Sequence, residues 1–136
     1  VLHFRSAVWD SFEQSAAREG TPSHAEMTHK LAALTDDPSR RHIFHTRFSD
    51  FYDPPSDCLE APVTEIDLVL IKEDDLLVEW YDRQKSLMSH MGRIHAGGKE
   101  GLVAMTYGLA IEDVKRSLYL FGWNSVEVCV SFVWRT

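Results

Sequence analysis

Gly122-Trp123-Asn124-Ser125-Val126-Glu127, near the end of the chain, repeats Val8-Trp9-Asp10-Ser11-Phe12-Glu13 near its start. Trp, Ser and Glu are identical in the two copies, and Asp10 and Asn124 share capping chemistry. Each copy follows a run of alternating residues. Each therefore reads as a corner, where a strand ends on its Trp and the Asp/Asn-Ser pair caps the helix that follows. Two such corners imply two related structural units.

Working outward from Trp123, residues 63–71 are rich in Val, Ile and Leu and read as a strand. Asp74 or Asp75 opens a helix over about residues 75–95, on which Leu77, Tyr81, Gln84, Met88, Met91 and Ile94 recur at helical spacing. Gly97-Gly98 closes it. Residues 102–111 and 117–123 read as two strands joined by a polar turn at 112–116. Residues 126–134 stay open. Val126, Val128, Val130 and Phe132 favour a strand by propensity, whereas Val126, Cys129, Val130 and Val133 share one helix face.

Around the earlier corner, residues 1–9 alternate as a strand, and Ser11-Phe12-Glu13-Gln14 has the form of a capping box for a helix ending near Gly20. Ser23-His24-Ala25-Glu26 offers a second box for a helix to about Leu34, striped by Met27, Leu31 and Leu34, and Asp36-Asp37-Pro38 stops it. Residues 40–48 alternate again, with His42, Phe44, Thr46 and Phe48 on one face and Ile43, His45 and Arg47 on the other. Pro54, Pro55 and Pro62 mark residues 49–62 as a linker. The expected division is 1–50, the back half of one unit; 51–62, a linker; and 63–136, the front of a second.

Composition narrows the function. The chain has 136 residues, 44% hydrophobic and 26% charged, which is an ordinary globular balance. Fourteen basic against 21 acidic residues leave a net charge of -7, which repels a phosphate backbone, so no nucleic-acid partner is expected. The longest apolar run, 126–134, is interrupted by Glu127 and Ser131 and is too short to span a bilayer, so no membrane partner is expected either. Val1-Leu2-His3-Phe4 shows neither an initiator Met nor the pattern of a signal peptide, which reads as a processed or partial chain. Cys58 and Cys129 form no CxxC pair, and a reducing, cytoplasmic location is expected.

With its aromatic-x-Ser-Val-Glu corner and this element order, the sequence resembles the dimeric α+β barrel superfamily, in particular its stress-responsive A/B-barrel branch of olivetolic acid cyclase-like proteins. The resemblance implies an α+β, ferredoxin-like architecture: antiparallel sheets with helices on one face, paired as a dimeric or pseudo-dimeric α+β barrel. Residues 63–72, 75–95, 102–111 and 117–123 would be the first strand, first helix and paired strands of one unit. Residues 1–9, 11–34 and 42–48 would be the third strand, second helix and closing strand of the other. Two tandem units packing their sheets face to face, or one permuted unit that forms a homodimer, both fit this order.

Pro22-Ser23-His24 matches a Pro-x-His step in the family's second helix region, where the histidine of cyclase-like members acts in acid–base chemistry beside the barrel cavity. The family's partnering tyrosine would fall where this chain has Arg18. The resemblance thus implies a cofactor-independent cyclase-, isomerase- or lyase-type enzyme in which His24 moves a proton on a small apolar or polyketide-like molecule. The same branch also implies a non-catalytic stress or ligand-binding protein. From the residues alone, His24 is equally a polar decoration on a helix turn.

Tyr107, mid-strand between Met105 and Leu109, could direct its hydroxyl into a cavity as a second catalytic group or be a core tyrosine. Glu65, His45 and His95 are the expected substrate-binding residues. Glu65 matches a polar pocket position of the family, yet it shares its strand phase with Val63 and Asp67, opposite Ile66, Leu68 and Leu70, which reads as a solvent face. His95 could equally serve the negative end of its own helix. No metal site is expected, because His24/His29 and His90/His95 are five apart and His42/His45 point to opposite strand faces. No cofactor is expected, since Gly92, Gly97, Gly98 and Gly101 make no phosphate-binding pattern.

Overall fold

A computed structural model describes residues 11–33, 44–98 and 100–133. The strand expected over 1–9, including Trp9, the helix stop at 36–38, Leu34, His42 and Ile43 lie outside the described residues. The chain divides into two compact units, Val1–His45 and Thr46–Thr136.

In the first unit, helix α1 (Phe12–Glu19) starts as its sequence dictates. The Ser11 side chain accepts from the Gln14 amide at 3.3 Å, and Gly20 ends the helix. Helix α2 (Pro22–Ala32) starts one residue before the expected box. Thr21 Oγ1 accepts from the His24 amide, and Pro22 occupies the first turn, where its missing N–H costs nothing.

The second unit is α+β. Its strands are β1 (Thr46–Phe48), β2 (Val63–Leu70), β3 (Leu102–Ala110) and β4 (Arg116–Trp123), all pairing antiparallel in the order β1-β3-β4-β2. Between them run the short helix α3 (Pro55–Glu60) and the long helix α4 (Leu77–Gly97), and α5 (Val126–Val133) follows β4. With β2 and β3 flanking β4, this arrangement is compatible with a ferredoxin-like fold. The α4 boundaries follow the sequence closely: a 3-10 turn at Asp74–Leu76 leads in, and Gly98 closes it in the left-handed conformation (φ 60°) that favours glycine.

Register assigns the two sheet faces. Val63, Glu65 and Asp67 stand opposite Trp123, Phe121 and Tyr119, and β3 adds Met105 and Tyr107 to the same face. Met88 and Met91 of α4 and Val128, Cys129 and Phe132 of α5 pack against that face to make the core. Trp80, rather than the expected Tyr81, carries the buried stripe at the start of α4, and Tyr81 is exposed. The open tail resolves as a helix because Ser125 supplies its cap, accepting from the Val128 amide at 3.4 Å, and Val128, Cys129 and Phe132 cover Trp123. Both serines of the repeated hexapeptide thus cap helices.

Three local expectations change. Thr46–Phe48, expected to close the earlier unit, is instead the edge strand beside β3 in the later one. The stretch expected as a linker holds α3, whose Cys58 is fully buried, because Pro55 enters the helix at a position that needs no N–H. The helix layer is not strictly one-sided: α3 sits on the face opposite α4 and α5, with Cys58 Sγ on the Leu120 carbonyl and Thr64 Oγ1 donating to the Cys58 carbonyl.

The β1–β3 contact leaves no room at Gly108, where an added Cβ would collide with the Arg47 carbonyl oxygen and the Thr46 side chain. Gly108→Ala is expected to cost about 1–3 kcal/mol in urea denaturation. Gly92→Ala, with open space around the added methyl, should instead gain roughly 0.5–1 kcal/mol by helix propensity.

Candidate functional site

The five expected site residues fall in different units: His24 and His45 in the first, Glu65, His95 and Tyr107 in the second. In the first unit, α1 and the turn into α2 form a small polar cluster. His24 Nδ1 lies 3.0 Å from the Glu19 carbonyl, which can only accept, so Nδ1 donates, and in the neutral ring Nε2 carries the lone pair. His45 Nε2 lies 3.0 Å from Ser15 Oγ and 3.9 Å from a Glu19 carboxylate oxygen. A serine nucleophile needs its carboxylate on the histidine's other nitrogen, and the Glu19 carboxylate lies instead on the Nε2 side. Ser15, buried on α1, was not legible as a partner of His45, because the pairing depends on how the chain returns.

In the second unit, α4 ends where His95 reaches two acceptors. Its Nδ1 is 3.4 Å from the Leu102 carbonyl and its Nε2 is 3.4 Å from Asp53 Oδ2. Each ring nitrogen thus faces an acceptor of the fold itself. Asp53 itself extends β3: its carboxylate accepts from the Met105 amide at 2.9 Å, and its own amide donates to the Met105 carbonyl. Sequence reading missed Asp53, which sits among prolines with no local signal of its distant partner. Tyr107 is half-buried in an aromatic row, stacked on Tyr119 (centroids 5.8 Å apart) and meeting the edge of Tyr52 at 5.5 Å.

Glu65 shows the largest departure from its expected setting. It faces the helix layer, not solvent, and Oε2 accepts from the Trp123 indole at 2.8 Å. Cys129 Sγ of α5 approaches the same oxygen at 3.6 Å. Burial raises the Glu65 carboxyl above its ordinary range; the Trp123 donor opposes this, the Asp67 charge adds to it, and the Cys129 thiol opposes it again. Asp67 keeps an exposed side, yet partial burial raises it too. Cys129 is raised by burial first and then by the Glu65 charge, which makes it a poor nucleophile.

Among the described residues, no three His, Cys, Asp or Glu side chains converge as metal ligands. An open concavity on the outer side of α4, lined by Val78, Glu79, Asp82, Arg83 and Ser86, touches none of the expected site residues. No family model, curated protein or solved structure matches this chain.

Ionising Glu65 costs more in the folded than in the unfolded chain. Its contribution is therefore intact below the ordinary carboxylate value of 4.5 and lost as pH rises through the higher folded value. Glu65→Gln, which cannot ionise, should gain stability relative to the parent chain between about pH 4 and about pH 7 in paired urea denaturations. An unchanged difference contradicts the burial of this carboxylate.

Proposed function

We propose that this chain is a dimeric α+β barrel-type protein that binds a small apolar molecule between facing sheets and acts in the cytoplasm as a stress or ligand-binding module. The supporting observation is the division of β2 between its two faces. The helix face is closed by Met88, Met91, Phe121 and Trp123, while on the other face, beside the part of β3 and β4 that α3 occupies, Leu68 and Leu70 of β2 stand 54% and 56% exposed. Apolar side chains left on a sheet face gain roughly 25 cal/mol per Å² when a second sheet covers them, which favours association there. The intramolecular partners of His45, His95 and Glu65 point the same way, since groups engaged within the fold suit structure more than turnover. No helix among the described residues is long and apolar enough to cross a membrane.

A second reading has one observation in its favour. His24 commits Nδ1 to a carbonyl and keeps a lone pair on Nε2, the arrangement a general base requires. It supports a cofactor-independent cyclase- or lyase-type enzyme moving a proton on a polyketide-like molecule; Tyr107, in the other unit, is a candidate separate from it.

Light scattering on a sizing column tests the first reading. The parent chain should run as two copies, and the double variant Leu68→Glu, Leu70→Glu, folded by circular dichroism, as one. A parent chain that already runs as one copy contradicts it. His24→Ala separates the readings in native mass spectrometry of the co-purified molecule: the binding reading expects the bound mass unchanged, the enzyme reading a shift from product to substrate.

A further inference from the structure

Between α4 and the sheet, Trp80 Nε1 and Gln84 Oε1 lack hydrogen-bond partners in the protein, and the Ser117 and Tyr119 hydroxyls have at most each other. Three of these side chains are almost wholly out of solvent, with Gln84 4%, Ser117 0% and Tyr119 2% exposed. Placement brings them together. Trp80 and Gln84 are one turn apart on the face of α4 that meets the sheet. Ser117 and Tyr119 are two apart on β4 and so share one face. The Trp80 ring meets Tyr119 edge-on, centroids 6.5 Å apart. Thr106 Oγ1, also buried and unpartnered, lies on the opposite sheet face and is not part of this group.

Leaving the indole N–H and the amide oxygen without partners would cost roughly 1–3 kcal/mol each, a large share of the stability of a marginally stable unit. Their chemistry is complementary to one kind of ligand. The indole N–H needs an acceptor, the amide oxygen needs a donor, and the two hydroxyls take either role. We propose that Trp80, Gln84, Ser117 and Tyr119 hold an ordered internal water between α4 and β4. Water is the small neutral molecule that donates and accepts at once, and an internal water typically makes about three hydrogen bonds. The water makes this side of the core a specified polar junction that fixes the rotation of α4 on the sheet, separately from any ligand on the opposite face.

The test reads the Trp80 indole proton, assigned by the signal lost in Trp80→Phe, in a water-selective NOE experiment. A bound water gives a cross peak of the sign expected for a long-lived complex, and its absence overturns the proposal. Thermal denaturation gives an independent readout. Gln84→Met breaks a satisfied network and should lower the midpoint. A raised midpoint, the response to removing an orphaned buried carbonyl, overturns the proposal. Should Gln84→Met fail to fold, the cross peak on the parent chain decides alone.

Discussion

The hydrogen bond from the Trp123 indole to the Glu65 carboxylate is the constraint on which the second unit depends. Trp123 is the last residue of β4 and is fully buried, so its N–H must find an acceptor inside the protein. The acceptor comes from the neighbouring strand β2, and the Cys129 thiol of α5 approaches the same oxygen. One carboxylate thereby ties an edge strand, a central strand and the helix after the corner. The bond also assigns faces. With Glu65 turned to the helices, the alternation of β2 sends Ile66, Leu68 and Leu70 the other way, and this produces the apolar face on which the proposed association rests.

The helix face gains cohesion from aromatic rings in sequence across it: Tyr52, Tyr107, Tyr119, Phe121, Trp123 and Phe132 follow one another at centroid separations of 5.3 to 6.5 Å. Such a row leaves its polar tips to be satisfied one by one. Trp123 uses Glu65, while Tyr119, beside Trp80 and Gln84, is assigned the internal water. Burial holds the Tyr119 phenol well above its ordinary range, so it serves as a neutral hydrogen-bonding group, not as a base. Chemistry of the kind expected for Tyr107 would have to proceed within this packed layer. This is why the binding reading ranks above the enzyme reading.

Elements with strong local signals were legible in the sequence. Strands β2, β3 and β4 announce themselves by alternation, and α4 by its apolar stripe and its Gly97-Gly98 stop. What was not legible depends on distant partners. Thr46–Phe48 fall within the alternation read over 40–48, but nothing local tells that their partner is β3 and not a strand of the earlier unit. Residues 126–134 satisfy both periods, and the choice falls to helix through the Ser125 cap and the surface of Trp123. Glu65 reads as solvent-facing because a carboxylate normally is; only its indole partner makes the inward position tolerable. The site residues fared similarly: Asp53 and Ser15, the partners of His95 and His45, have no local pattern that pairs them.

Carbon-detected NMR titration of the Glu65 carboxyl, followed together with the Trp123 indole proton, tests this account most directly. It predicts one shared transition with its midpoint above the ordinary value of 4.5, both signals moving together. A carboxyl that titrates at or below that value while the indole proton stays still would contradict it, and with it the assignment of the two faces of β2.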